Sequence, residues 1–243
     1  MLRRITLINQ LMDWQAFLGI DKALLLFFNG SDSLFLDQLI SLLTSGYTWI
    51  PLYLALFYLV VKNNETMAQI TLTVGCALLC VVLADGLADG IVKPWVGRLR
   101  PVNDPTVAGS LDLVYGLYGT GFSFFSAHAA NTMAVAVFFI LVVRNRVFSG
   151  FMVCWSLLNG YTRLYLGVHY PSDVIVGFLW GATSALIAYL IYAYIYKRIT
   201  PAVNYISSQY TSTGYSLKDI DVVLSVLVYT LVFVLLSALV IFR

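Results

Sequence analysis

Charge is scarce in this chain. Lys, Arg, Asp and Glu make up 11% of its 243 residues, against 60% hydrophobic ones, where soluble domains carry about a quarter charged side chains. With a mean hydropathy of +0.85, this composition excludes an ordinary soluble domain and describes an integral membrane protein. The net charge of +2 is far from the clustered basic footprint that nucleic acid requires, so no nucleic-acid partner is expected. Cysteine is equally sparse. Cys76, Cys80 and Cys154 lie scattered in apolar runs, where a thiol behaves as a small hydrophobe, and they make neither a disulfide framework nor a metal site. A cleaved signal peptide is not expected either, because Asn9, Gln10, Asp13 and Gln15 interrupt the first apolar stretch and no small-residue cleavage site follows. Leu7, Leu11, Trp14 and Leu18 stand at helical spacing, so residues 1–33 read as a segment lying in the membrane interface.

Long apolar runs are abundant. A helical span needs about 20 mostly apolar residues, and six stretches qualify: Leu34 to Val61 with a break near Ser45-Gly46, Met67 to Val92, Phe122 to Val143, Val147 to Val168, Pro171 to Tyr196, and Val222 to Phe242. The fold class is all-α, a polytopic membrane bundle of about six helices, with 34–198 as its core. Residues 199–243 add a linker rich in Ser, Thr and Tyr and one further span. Residues 94–121, rich in Gly, Pro and aromatics, read as a structured lip, with Trp95, Tyr115, Tyr118, Phe122, Phe124 and Phe125 in or beside it.

Alternating spans put Lys93, the lip, His128, Arg163, His169 and Asp173 on one side of the membrane. The other side carries Lys62, Arg144, Arg146, Lys197, Arg198 and Lys218. Short loops rich in Lys and Arg stay cytoplasmic, so the ionisable cluster is expected to face outward, into the periplasm or its equivalent. Both histidines of the chain belong to this cluster, and ionisable groups at span ends mark function unless they merely snorkel to the headgroups. Lys93, Arg100 and Arg163 supply three cations suited to a phosphoryl dianion. Ser126 can cap a helix start and leave the amides near Ala127 and His128 free for an anion. Pro171 suits a first helical turn, which brings Asp173 close to His169. A carboxylate on one imidazole nitrogen leaves the other free to attack, so His169 reads as the nucleophile, Asp173 as its partner and His128 as the general acid. No metal-ligand set is visible, and the scheme needs no cofactor.

Taken in order, Lys-x6-Arg-Pro at 93–101, Ser-x-His at 126–128 and Arg-x5-His-x3-Asp at 163–173 resemble the three-part signature of the type-2 phosphatidic acid phosphatase superfamily, over roughly residues 85–190. The resemblance implies a helical membrane phosphatase working without metal through a phosphohistidine. It implies substrates among lipid phosphates and pyrophosphates, such as undecaprenyl pyrophosphate, phosphatidylglycerol phosphate or lipid A, with membrane lipids as surroundings. By that pattern Lys93, Arg100, Ser126, the amide of Ala127 and Arg163 bind phosphate. Phe125 and Ala127 replace the Pro and Gly of the family's usual Pro-Ser-Gly-His, and Thr162 replaces a Ser before the Arg. Asp85 and Asp89, at i and i+4 before Lys93, are supporting candidates on one helix face, as is Thr162. Two other readings use the same residues: transfer of the phosphoryl group to a second lipid, or a transporter that binds a lipid-linked phosphate without turnover. Small residues Gly177, Gly181, Ala182 and Ala185 are expected to permit close helix packing.

Overall fold

The computed structural model describes residues 2–114, 119, 121–200 and 208–241, leaving out the side chains of 2–12, 14 and 241. The expected packing of Leu7, Leu11 and Trp14, and the placement of Tyr115 and Tyr118, fall outside what is described. Helix α1 (Leu2–Phe28) gives way to Asn29 and Gly30, the latter at φ +63°. Ser33 caps α2 (Leu34–Thr44) by accepting from the Leu36 amide. A 3-10 turn over Gly46–Trp49 leads into α3 (Ile50–Lys62), with Pro51 in its first turn. α2 and α3 meet at 65°, the break expected near Ser45-Gly46. Thr66 and Gln69 form a reciprocal capping box at the start of α4 (Met67–Leu87). A π turn over Ala88–Val92 connects it to the short α5 (Lys93–Val96), which Gly97 ends at φ +63°.

The third run departs from expectation. Residues 122–126 stay irregular and belong to the lip, so α6 (Ala127–Val143) has 17 residues, about 26 Å at the helical rise and short of the roughly 30 Å hydrocarbon core. α7 (Arg146–Tyr165), α8 (Pro171–Ile199) and α9 (Leu217–Ile241) complete the chain. By length and apolarity, among the described residues, the stretch from α4 onward, α8, α9 and the bent α2–α3 pair can each cross a membrane. The other two of the six expected spans correspond to α6 and α7. α6 lies in the interior against α4, α7 and α8, and α7 carries Arg146, Asn159 and Arg163. The protein is an all-helical, multi-pass membrane protein.

Apolar area does little to join helices in lipid; close van der Waals packing between small residues does it instead. The α6–α8 contact is built that way. A Cβ on Gly177 would stand 2.6 Å from the Ser126 carbonyl oxygen, and one on Gly181 would collide with the carbonyl of Ala130. These two glycines let α8 seat the start of α6. Gly181→Val is expected to cost about 1–3 kcal/mol by overpacking, read as a lowered thermal midpoint in detergent. At the far end, Asp219 at the start of α9 accepts from Tyr58 of α3 and from Asn63 just beyond its end, each at 3.1 Å.

Candidate active site

The starts of α6 and α8 are tied together by the Ser126 N–H, which donates to the Asp173 carbonyl at 3.0 Å. This one backbone bond sets His128 and His169 at the same end of the bundle. Ser126 caps α6 by accepting from the Ala129 amide at 3.4 Å. Ala127 and His128 thus occupy the first turn, where helix amides lack intrahelical partners.

His169 lies in the connection between α7 and α8 and is 3% exposed. Its Nε2 stands 3.3 Å from Arg100 Nη1, which also donates to the Val168 carbonyl at 3.1 Å. Its Nδ1 faces Asp173, but Oδ2 is 3.8 Å away, too long for a hydrogen bond. The expected direct Asp–His bond is therefore replaced by a bridge. Ser123 Oγ donates to Asp173 Oδ2 and stands 3.4 Å from Nδ1. Asp173 is fully buried, and its Oδ2 also accepts the Tyr170 amide at 3.0 Å in a capping box at the start of α8. Its Oδ1 takes Arg98 Nη1 at 2.7 Å.

Burial pulls the pKa of His169 down to about 4 from 6.5, with Arg100 and Arg163 adding to it and Asp173 opposing. The imidazole is therefore neutral at ordinary pH. In the unfolded chain the same side chain takes a proton below about 6.5, so stability is present above that pH and is lost as pH falls toward 4. The loss is about 3 kcal/mol. The thermal midpoint in detergent is expected to drop over that window in the wild type, and by visibly less in His169→Gln, which has nothing to protonate there.

Arg163 is held from α2, where its Nη1 donates to Thr44 Oγ1 at 2.6 Å. Its Nε is buried and has no partner among the described residues. An unpaired buried guanidinium nitrogen is costly, and an anion lodged beside Arg163 would satisfy it. Thr162 bonds Thr44 at 3.1 Å and the Asn159 carbonyl at 2.7 Å, so it steadies the threonine that holds Arg163. Lys93 is ion-paired with Asp89 one turn earlier. Asp85 does not join that stripe; it accepts from Asn131 of α6 at 2.9 Å, because the intervening π turn shifts the register between Asp85 and Lys93. His128 lines one end of a groove of about 480 Å³ whose walls include Leu56, Val74, Leu78, Val135 and Phe139.

Four contributors escape a reading of the sequence. Ser123 sits in an irregular stretch with no periodicity to aim it. Thr44 is an ordinary-looking residue at a helix end. Asp21 and Arg98 meet from positions 77 residues apart in the chain. The available signals are Arg98 as a charge in the lip, and Asp21 with Lys22 as the ionisable pair before the apolar run Ala23–Phe28.

A family model described as the PAP2 superfamily matches residues 73–197, from the middle of α4 to the end of α8, and so contains every one of the lysine, arginine, histidine and aspartate residues of the signature. The chain belongs to the PAP2 superfamily. Its PAP2 relatives include a lipid A 4'-phosphatase of Bacteroides thetaiotaomicron, 40% identical over 71% of this chain and 76% of that one. A lipid A 4'-phosphatase of Porphyromonas gingivalis is 30% identical over 74% and 76%. Among solved structures, a PAP2-type phosphatidylglycerolphosphate phosphatase from Bacillus subtilis shares the fold with a TM-score of 0.56 at 20% identity, over 77% of this chain and 90% of that one. As a PAP2 protein the chain is a membrane phosphatase acting on lipid phosphate.

Proposed function

We propose that this protein removes a terminal phosphate from a saccharide-bearing lipid of the lipid A type at the outer face of the cytoplasmic membrane, through a phosphohistidine on His169. The observation that carries the chemistry is a buried imidazole 3.3 Å from the Arg100 guanidinium, together with a second buried arginine, Arg163, whose Nε is unpaired among the described residues. Phosphate would take up Arg163 Nε and the donors of Arg100, with Lys93 and the amides of Ala127 and His128 completing the cradle. Moving Arg100 onto phosphate oxygens frees the Nε2 lone pair of His169. Nε2 attacks phosphorus as the bond to the lipid oxygen breaks, and the cations hold the charge on the equatorial oxygens. His128, on the side of the apolar groove, gives the leaving oxygen its proton. It then takes one from the water that attacks the phosphohistidine, which releases phosphate and restores Nε2.

The lipid side of the reading rests on the groove beginning at His128, whose lining is mostly apolar and would take the hydrocarbon of the leaving group. The choice of a lipid A-type substrate follows the two 4'-phosphatase relatives. Charge supports the outward orientation: Lys62, Arg144, Arg146, Lys197, Arg198 and Lys218 all stand at or near helix ends opposite the site, and short Lys- and Arg-rich loops favour the cytoplasmic face. The test is phosphate release by purified protein from lipid A, undecaprenyl pyrophosphate and phosphatidylglycerol phosphate, with the His169→Ala protein as blank. A preference for either of the last two would overturn the substrate assignment; release by the blank would overturn the mechanism.

A further inference from the structure

Asp21 is the acidic residue that α1 sends into the bundle, and it is 4% exposed. It lies outside the stretch matched to the family. Its Oδ2 accepts from Arg98 Nη2 at 2.6 Å and from Ser172 Oγ at 2.6 Å, and its Oδ1 accepts the Ser172 amide at 2.9 Å. Arg98 Nη1 in turn reaches Ser172 Oγ at 2.8 Å and Asp173 Oδ1 at 2.7 Å. One guanidinium is thus shared between two carboxylates, and the second is the carboxylate whose other oxygen faces His169. The Tyr170 ring lies against the guanidinium, 3.9 Å from carbon to centroid, and restrains its plane.

We propose that Asp21 is a positioning residue for phosphoryl transfer, acting through Arg98 on Asp173; the inference rests on the reading of His169 and Asp173 given above. A buried guanidinium and a buried carboxylate left to themselves pair bidentately, both nitrogens on both oxygens. That geometry would draw Asp173 Oδ2 away from Ser123 and His169. Asp21 prevents it by holding Nη2, so that Arg98 offers Asp173 only Nη1 and engages only Oδ1. Oδ2 is then left for Ser123, the Tyr170 amide and the imidazole side. The function of α1 is therefore more than anchoring: its carboxylate decides which oxygen of Asp173 serves the nucleophile.

The neighbouring residue provides the control. Lys22 also ties α1 to the lip, at 3.2 Å to Asp104 and 2.6 Å to Thr106, but holds no atom of Arg98. With a lipid phosphate that the wild type turns over, Asp21→Asn is expected to lower kcat by about 10- to 100-fold, the scale of a small misplacement of a reacting group. KM and the inhibition constant of inorganic phosphate should stay within about threefold, because Arg100, Arg163 and Lys93 are untouched. Asp21→Glu, which keeps the charge and guards against a variant that fails to fold, should recover part of the loss. Lys22→Gln should keep kcat within about twofold. Wild-type kcat in Asp21→Asn would overturn the inference. So would an equal loss in Lys22→Gln, or a parallel weakening of phosphate inhibition, since either marks simple anchoring. Dependence of wild-type turnover on His169 tests the functional reading separately: an enzyme that needs His169 but ignores Asp21 sinks only this inference.

Discussion

Replacing His169 with alanine is expected to reduce phosphate release by about 10⁴-fold or more, the scale seen when a nucleophile that works as part of a unit is removed. The size of the effect follows from the site. His169 carries the nitrogen that faces Arg100, and His128, the other histidine of the chain, lines the groove where the leaving lipid would lie. The variant should also fail to form a phosphoprotein when wild type, quenched during turnover, yields a linkage stable to alkali and labile to acid. The variant should remain folded at neutral pH, because the cost is that of a small cavity and Arg100 keeps its bond to the Val168 carbonyl. Residual activity within about tenfold of wild type, or label retained on the His169→Ala protein, would end the phosphohistidine mechanism.

The second large effect belongs to His128, and its size depends on the leaving group. Positioned general acids contribute about 10²- to 10⁴-fold, but only where the departing oxygen needs a proton. A sugar alkoxide is a poor leaving group, so His128→Ala should cost the full range for a phosphomonoester on a saccharide. The phosphate that leaves a pyrophosphate is already stable as an anion, and the same variant should lose far less there. A comparison of kcat for lipid A and undecaprenyl pyrophosphate in wild type and His128→Ala measures this difference directly. Equal losses on both substrates would take the role of acid away from His128 and assign it to binding.

Much of the fold is legible in the sequence because membrane insertion constrains composition strongly. Apolar runs long enough to span lipid cannot hide, and the breaks at Ser45-Gly46 and Pro171 stand where turn and helix-start chemistry demands them. The start of α6 lies five residues beyond the start of its apolar run, since Phe122, Phe124 and Phe125 are as apolar as a helix but serve the lip. Counting spans is harder for a related reason: an interior helix such as α6 is apolar without having to cross lipid. At the site, side chains that carry charge in an apolar chain announce themselves, and alternation of spans puts them on one side. What residue order does not reveal is how they connect. Asp173 is expected to bond His169 directly; Ser123 instead bridges them from one side, placed by an irregular segment with no period to predict from. Asp85 and Asp89 look like one stripe, and a π turn sends them to different partners.

By itself the sequence determined that this chain lives in a membrane, and it put both histidines with Lys93, Arg100, Arg163 and Asp173 at one end as candidates for phosphate capture, because scarcity of charge makes every buried charge informative. Only the tertiary structure decided which carboxylate oxygen faces the histidine, which arginine nitrogen is left unpaired among the described residues, and that α1 reaches into the bundle through Asp21. Those choices depend on distances of a few tenths of an ångström between segments as much as 151 residues apart, and residue order carries no such distances until the helices are packed.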